Sequence, residues 1–205
     1  MNTISNLNLG PAVPAAEILA GDEPVTDALL ALGSLSRALD GSAKLSDVGA
    51  LLWMVLRQIV PADTLALFLP DDDHDHVVIR YAAGLHATAL HGVSRPTPMG
   101  IAGSSAVTRR SVLNGEPSVD LGLRGEAFPA LRACLVTPLV DSDALVAVLA
   151  LYSKTANGFT EDHLRLLEVL GPRLASALVD AAIADEDSRL IPAAMPRPLK
   201  LVHRN

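Results

Sequence analysis

The spacing of apolar residues changes twice along the chain, and this change limits the possible folds more than any other feature. Residues 46–60 and 160–187 repeat apolar positions at helical intervals, whereas the stretch between them contains short apolar runs typical of strands. The chain has 205 residues, about the size of one domain with tails. We therefore predict one compact unit in which paired strands lie between flanking helices.

Two helices are predicted early in the chain, after a flexible leader of residues 1–24. Thr26 is a suitable N-cap for the first helix and Ser46 for the second, which Pro61 ends. The apolar positions of the first helix recur at spacings of three and four and form one stripe, which comprises Ala28, Leu32, Leu35 and Leu39.

Two antiparallel hairpins are predicted in the middle of the chain. Residues 64–69 pair with 77–83, and residues 131–139 pair with 144–152, because each pair is joined by a short polar connection. Residues 84–99 contain prolines and are predicted to form a long loop with little regular structure. A tight turn at Gly100 then leads into a short helix, in which Ala106 and Val107 point inward.

A long helix capped by Thr160 is predicted to run to about residue 187. Pro172 lies inside it and predicts either a kink or the start of a new helix. The apolar residues of this helix alternate spacings of three and four, which is typical of helices packed along a seam. These seam residues are Leu167, Leu170, Leu174, Ala177 and Ala181.

The charge balance and the cysteine content exclude several classes of function. Lys and Arg total 16 against 23 Asp and Glu, a net charge of −7, which disfavours nucleic acid and anionic lipid as partners. The longest apolar run, residues 144–152, is too short for a bilayer, which requires roughly 20 residues. Cys134 is the one cysteine, so an internal disulfide and a thiolate zinc site are excluded, and we expect a cytoplasmic protein.

Several sequence segments spread along the chain resemble the GAF family of small-molecule sensory domains. They are residues 56–69 (LRQIVPADTLALFL), 82–84 (AAG), 99–103 (MGIAG), 111–120 (SVLNGEPSVD), 131–139 (LRACLVTPL), 147–152 (AVLALY) and 159–170 (FTEDHLRLLEVL). The resemblance implies an α+β fold with an antiparallel sheet of about six strands. It also implies first and last helices packed together on one face and a pocket beneath loops on the other. The sensory domain would span residues 25–183, followed by a helix end and a flexible tail at 184–205.

The resemblance also indicates where a ligand would bind. Asp120 and Arg132 lie in segments that the family places near the pocket, where each could orient a polar group of a ligand or form a salt bridge that closes a loop. The glycines before the short helix either form a structural turn or direct backbone N–H groups at an anion. The candidate ligand-binding residues are Gly100, Ile101, Gly103, Val107, Asp120, Arg132 and Cys134.

Two further features each have a structural and a chemical interpretation. Cys134 in its predicted strand is either a small buried hydrophobe or a thiol activated by Arg132 two positions away. Related reductases use several cysteines, which this chain lacks, and the standard catalytic motifs are absent from the sequence. We therefore predict that the chain is not an enzyme. The cluster of acids and histidines at residues 71–76 could hold a metal, but the tip of a hairpin favours a solvated turn. No metal site is predicted.

The leading hypothesis is a bacterial, cytoplasmic sensory domain that binds a small molecule and forms a homodimer. The stripe Leu32, Leu35 and Leu39 and the seam of the long helix would form the dimer interface. Ligand binding would shift the population between two arrangements, and a separate signalling protein would supply the output. One alternative is a ligand-free interaction module, and another is a reductase-type enzyme. The sequence identifies neither the ligand nor a cofactor.

Overall fold

A six-stranded antiparallel sheet with the strand order β3-β2-β1-β6-β5-β4 forms the centre of the molecule. The structure is a computed structural model that describes residues 44–121, 128 and 130–184, with the backbone alone at 182–184. The strands are β1 (Thr64–Pro70), β2 (His76–Gly84), β3 (Ser94–Pro96), β4 (Val112–Gly115), β5 (Ala133–Asp141) and β6 (Ala144–Ser153). The helices are α1 (Leu45–Ile59), α2 (Ala87–Leu90), α3 (Gly100–Thr108), α4 (Pro117–Leu121) and α5 (Glu161–Ala184).

Both predicted hairpins are confirmed. β1 pairs with β2 and β5 with β6, and the two hairpins join through the antiparallel contact between β1 and β6. All residues of β1 are buried, because this central strand is covered on both faces. The α+β architecture predicted from the resemblance is therefore present.

One face of the sheet is covered by the two long helices, α1 and α5, which also contact each other. Lys44 precedes α1, and its N–H donates to the Asp47 carboxylate at 3.1 Å, so the helix begins before the predicted cap, Ser46. We call the buried apolar layer on this face the first core. Its members include Leu52, Leu56, Leu65, Leu67, Leu135, Leu139, Leu149, Leu167 and Leu170.

The opposite face is covered by the short helices α2, α3 and α4, and we call its buried layer the second core. Alternate residues of the same strands supply it, because successive strand residues point to opposite faces. Its members include Phe68, Val77, Ile79, Leu90, Ala102, Leu121, Phe128, Cys134, Val136, Val148 and Tyr152. This face of the sheet is filled by the protein's own side chains.

Helix α5 runs through Pro172 without a break, so the alternative of a new helix at that residue is wrong. Pro172 lies on the exposed side of the helix. The Thr160 hydroxyl accepts a hydrogen bond from the His163 N–H at 3.3 Å, which confirms the predicted cap. The predicted end of this helix near residue 187 lies outside the described residues.

The seam predicted on α5 packs inside the chain itself. Leu167, Leu170, Leu174, Ala177 and Ala181 are all buried in the first core, against α1 and the sheet. The three-and-four spacing thus reports an intrachain contact, and these side chains are not accessible to a second copy. The other half of the predicted interface, Leu32, Leu35 and Leu39, lies outside the described residues.

The prediction of a long irregular loop at residues 84–99 is wrong in part. This stretch contains helix α2 and the edge strand β3, which pairs with β2. Pro96 is tolerated in β3 because an edge strand leaves half of its backbone groups outside the ladder. No helix among residues 44–121, 128 and 130–184 is long and apolar enough to cross a membrane.

Candidate functional site

The carboxyl group of Asp120 binds the start of helix α3. Its Oδ1 accepts hydrogen bonds from the backbone N–H groups of Ile101 at 2.7 Å and Ala102 at 2.8 Å. Gly100 makes this approach feasible, because its φ is +73° and a Cβ there would lie 3.0 Å from the same oxygen. Asp120 thus supplies the negative charge that the N-terminal end of a helix favours.

A polar cluster surrounds this carboxyl group in the second core. The Arg95 side chain donates through Nε to the backbone carbonyl of Asp120. The Tyr152 hydroxyl interacts electrostatically with the carboxyl group. Yet neither this hydroxyl nor Asp120 Oδ2 has a hydrogen-bond partner of normal geometry among the described residues. Among the described residues, the Tyr152 hydroxyl and Asp120 Oδ2 are thus two buried polar atoms that interact without a hydrogen bond of normal geometry.

Burial dominates the acid–base behaviour of this cluster. It raises the pKa of the Asp120 carboxyl group, although the two backbone hydrogen bonds and the Arg95 charge act in the opposite direction. It also raises the pKa of Tyr152 well above the usual value, and the nearby Asp120 adds to this shift. The Tyr152 hydroxyl is therefore neutral at physiological pH.

A cavity of about 520 Å³ opens beside this cluster. It lies at the edge of the sheet where β4 ends and β5 begins. Gly115 of β4 and Cys134 of β5 are paired in register, and beyond them the chain turns into α4 on one side and approaches Arg132 on the other. The volume is within the range of small-molecule sites, which is about 300–1,000 Å³. The lining residues are Glu116, Pro117, Ser118, Leu121, Phe128, Leu131, Arg132 and Ala156.

The cavity lining combines three apolar side chains with two opposite charges, and polar atoms make up the larger share of its exposed surface. Leu121, Phe128 and Leu131 are buried, whereas Glu116 and Arg132 are exposed to solvent. The Ser118 hydroxyl donates to the Glu116 carboxylate at 3.2 Å. No carboxylate among the described residues lies within ion-pairing distance of the exposed Arg132 guanidinium.

The Cys134 thiol is buried in the second core and faces an acidic environment. Burial, together with the charges of Asp120 and Glu116, raises its pKa. Arg132 precedes β5 and has its side chain exposed, so the cation expected to activate the thiol does not offset the burial. The thiol therefore has the character of a small buried hydrophobe, which is the first of the two predicted interpretations.

The structure does not bring the sequence-predicted ligand residues together at one site. Gly100, Ile101 and Asp120 meet at the start of α3, where the Ile101 N–H donates to Asp120 and Gly100 allows the close approach, which favours the structural-turn interpretation of the glycines. Gly103 packs on the backbone of Pro96. Val107 and Cys134 lie outside the cavity lining, as does Asp120.

Arg132 is the one predicted residue that the cavity lining includes. Sequence reasoning missed Glu116 and Ser118, although both lie in the segment at residues 111–120 that contributes to the family resemblance. It also missed Phe128, whose segment has no regular spacing of apolar residues. Nothing in the sequence around Glu116 indicates a binding role. Its relation to Arg132 becomes visible only in the structure, where both residues line the same cavity.

The acidic and histidine-rich residues 71–76 form the turn between β1 and β2. The Asp71 carboxylate accepts a hydrogen bond from the His76 N–H at 3.0 Å and lies 3.4 Å from His76 Nδ1. Within the described ranges, no three His, Cys, Asp or Glu side chains are arranged to hold a metal ion. The geometry is that of a side-chain-stabilised turn.

Comparison with known families gives one match over most of the chain. A sequence model of the GAF domain family matches residues 46–179. The match begins within α1, ends within α5 and includes all six strands. No curated protein matches the chain significantly.

Solved structures similar to this chain include both signalling proteins and enzymes. The GAF domain of a phosphoenolpyruvate-protein phosphotransferase from Coxiella burnetii is 19% identical, with a TM-score of 0.60 over 77% of this chain and 95% of that one. The second GAF domain of DevS from Mycobacterium smegmatis is 22% identical, with a TM-score of 0.52 over 66% of this chain and 90% of that one. Free methionine-R-sulfoxide reductase from Neisseria meningitidis, in complex with its substrate, is 18% identical, with a TM-score of 0.60 over 82% of this chain and 97% of that one.

The reductases overturn one sequence-based prediction. The chain was expected not to be an enzyme because it has a single cysteine, but proteins with the same fold include free methionine-R-sulfoxide reductases. The identities are 13–18%, so the likeness concerns the fold alone. The fold is compatible with enzymatic activity, and the exclusion was wrong.

Proposed function

Because the chain belongs to the GAF domain family, we propose that it is a sensory domain that binds a small molecule in the cavity beside Arg132. The observation that carries this proposal is the exposed Arg132 guanidinium, which has no ion-pair partner among the described residues and borders a cavity that also contains three apolar side chains. Such a combination suits a ligand with an apolar body and an anionic group, because the apolar residues bury the body while Arg132 orients the charge.

The position of the cavity provides a route for the signal to α5. Arg132 directly precedes β5, which packs against α5 on the opposite face of the sheet. On the β4 side, the Asn114 amide group donates to the Phe159 carbonyl at 2.8 Å and accepts from the Phe159 N–H at 3.0 Å. Asn114 lies two residues before Glu116 of the cavity, and Phe159 lies two residues before α5 begins. A ligand that moves the β4 end would therefore displace the start of α5.

The mechanism is a shift in population between two positions of α5. A ligand that contacts Glu116 and Arg132 differently in the two states binds one state more tightly. It shifts the population toward that state by the difference between its two affinities. The output would come from a separate signalling protein in the cytoplasm, through a homodimer. We assign the predicted stripe Leu32, Leu35 and Leu39 to that dimer, because the α5 seam is used within the chain.

A screen of metabolites by thermal shift tests the binding function. A ligand at 100 times its dissociation constant stabilises the folded state by about 2.7 kcal/mol, and the melting temperature should rise accordingly. Asn114→Ala serves as the matched variant for signalling, since it should bind the same ligand but lose the ligand-induced change in hydrogen exchange at the start of α5. A protein that no metabolite stabilises, and that native mass spectrometry always finds empty, would contradict the proposal.

A ligand-free interaction module is the second candidate, and the filled second core supports it. Phe68, Leu121 and Tyr152 occupy the face of the sheet on which the family resemblance implied a pocket. This candidate expects a pairing of proteins that no metabolite changes. Light scattering with and without the metabolites that cause thermal shifts separates the two functions.

A further inference from the structure

The cavity beside Arg132 presents one positive and one negative side chain that do not neutralise each other. Glu116 follows β4 directly, and Arg132 precedes β5 directly. Because Gly115 is paired with Cys134, both charged residues leave the sheet at the same end, and both line the same cavity. No ion pair joins them within the part of the chain that the structure describes.

The two charges select against ligands that carry a charge of one sign. A simple anion is attracted by Arg132 but repelled by Glu116. A simple cation is attracted by Glu116 but repelled by Arg132. A protein charge of the same sign as the ligand lowers the affinity for that ligand in a partly enclosed site. Selectivity therefore arises from the residue that repels the wrong ligand as well as from the residue that attracts the right one. A ligand with both charges satisfies both residues at once.

The remainder of the lining indicates what lies between or beside those charges. Leu121, Phe128 and Leu131 contribute buried apolar surface. The ring of Phe128 is held edge-on against His86, with ring centroids 4.9 Å apart. A ring fixed in this way offers a firm surface for an apolar or aromatic group of a ligand.

We infer that the cavity takes a zwitterionic ligand with an apolar side chain, of the α-amino-acid class. The ammonium group would lie toward Glu116 and the carboxylate toward Arg132, while the side chain packs on Phe128 and Leu131. The Ser118 hydroxyl, which donates to the Glu116 carboxylate, would help to hold the Glu116 side chain in position. This inference rests on the proposed function, because it specifies the ligand of the same cavity.

Three related compounds test the inference on the full-length chain. Phenylalanine carries both charges, phenylalaninamide lacks the carboxylate, and N-acetylphenylalanine lacks the ammonium group. NMR titration of the backbone amides gives both the affinity and the location of binding. We expect phenylalanine to bind about tenfold more tightly than either derivative, with shifts at the cavity residues, since tenfold corresponds to one partly exposed charge-assisted contact.

Two variants assign each charge of the ligand to one residue. Glu116→Gln should remove the advantage of phenylalanine over N-acetylphenylalanine, and Arg132→Gln should remove its advantage over phenylalaninamide. Glu168→Gln and Arg173→Gln are the matched controls, because these residues are exposed on α5 on the other face of the sheet, and both should leave all three affinities unchanged.

The outcomes separate this inference from the function on which it rests. Equal binding of the three compounds, binding of none of them, or the same effect of both cavity variants on every compound would overturn the zwitterion assignment. The sensory function would still stand if the thermal-shift screen found a ligand of another charge type in this cavity. It would fall together with the assignment if no metabolite bound at all.

Discussion

The two faces of the sheet are built from the same strands but differ in what covers them. The first core lies under two long amphipathic helices and consists mainly of leucine, valine and alanine. The second core lies under three short helices and includes the buried Asp120, Tyr152 and Cys134. Long helices bury a continuous apolar stripe, whereas short helices leave helix ends and side-chain gaps that polar groups fill.

This difference predicts that the first face serves stability and that the proposed ligand site lies beside the second face. The first face buries apolar surface and so contributes most of the hydrophobic stabilisation. Among the described residues, the second face contains an acid and a tyrosine that each have one polar atom without a hydrogen bond of normal geometry, and the cavity opens beside them. Buried polar groups of this kind cost stability and are commonly found near binding sites. The comparison predicts that substitutions on the first face act on folding, whereas those at the cavity act on binding.

The largest effect is expected from a charge placed in the first core. Leu174 is 3% exposed, so Leu174→Asp would bury a carboxylate without a partner and lower the free energy of unfolding by about 4 kcal/mol or more. Val169 of the same helix is 50% exposed, and Val169→Asp should change it by less than about 0.5 kcal/mol. Urea denaturation measures both, and equal losses would show that α5 does not pack as described.

The next effect concerns the acid that binds the start of α3. Asp120→Ala removes the acceptor of two backbone hydrogen bonds and should lower the free energy of unfolding by about 2 to 3 kcal/mol. Asp120→Asn retains a carbonyl acceptor for the same N–H groups and should lose less than about 1 kcal/mol. An alanine variant as stable as the asparagine variant would remove this role of Asp120.

The same residue predicts a dependence of stability on pH. Because burial raises the pKa of folded Asp120 above its unfolded value, its contribution to stability is full at low pH. That contribution is lost as pH rises from near the ordinary value, about 4, through the raised pKa, with a slope of at most about 1.4 kcal/mol per pH unit.

Asp120→Asn isolates this pH dependence from that of the other groups. Arg95, Cys134 and Tyr152 also face the carboxyl group and are present in both proteins, and burial keeps Cys134 and Tyr152 neutral over this range. The difference in unfolding free energy between the wild type and the Asn variant should therefore fall as pH rises. A difference that stays constant from pH 3 to 8 contradicts the raised pKa.

A smaller effect on stability is expected from Gly100, which allows the Asp120 carboxylate to approach the start of α3. Gly100→Ala strains a backbone with φ +73° and places a Cβ 3.0 Å from Asp120 Oδ1. Gly92 has φ +79° but no atom within 4 Å of its Cβ position, so Gly92→Ala reports the backbone strain alone, about 1 kcal/mol. Gly100→Ala should cost measurably more in thermal unfolding, and an equal cost would show that the contact with Asp120 is unimportant.

The smallest effect on stability is expected at the cavity. Arg132 is exposed and has no ion-pair partner within the described ranges, so Arg132→Gln should change the free energy of unfolding by less than about 0.5 kcal/mol. The same variant should bind phenylalanine about tenfold more weakly. A large loss of stability would place Arg132 among the structural residues.

Prediction from the sequence succeeded where apolar spacing alone determines the structure. The helix at residues 46–60, the helix after Thr160 and both hairpins were found because each has a regular period and a recognisable end. The short elements α2 and β3 were missed, since pieces of four and three residues have no period to detect. Their formation depends on pairing with β2.

The candidate site was predicted in part for a related reason. Arg132 was identified through a family resemblance, whereas Glu116 and Phe128 were missed because their relation to Arg132 exists only after β4 pairs with β5. Asp120 was identified as a polar residue of the pocket region, but its partners are the N–H groups at the start of α3. A single sequence cannot show which of two polar roles a residue will have when both are chemically reasonable.

The sequence by itself determined the two long helices and the two hairpins, because the period of apolar residues sets which faces of helices and strands avoid water. The tertiary structure decided which partner each face meets. It turned the seam of α5 inward, bound Asp120 to α3 and brought Glu116 and Arg132 to one cavity. These outcomes depend on contacts between residues far apart in the chain, and local spacing carries no information about them.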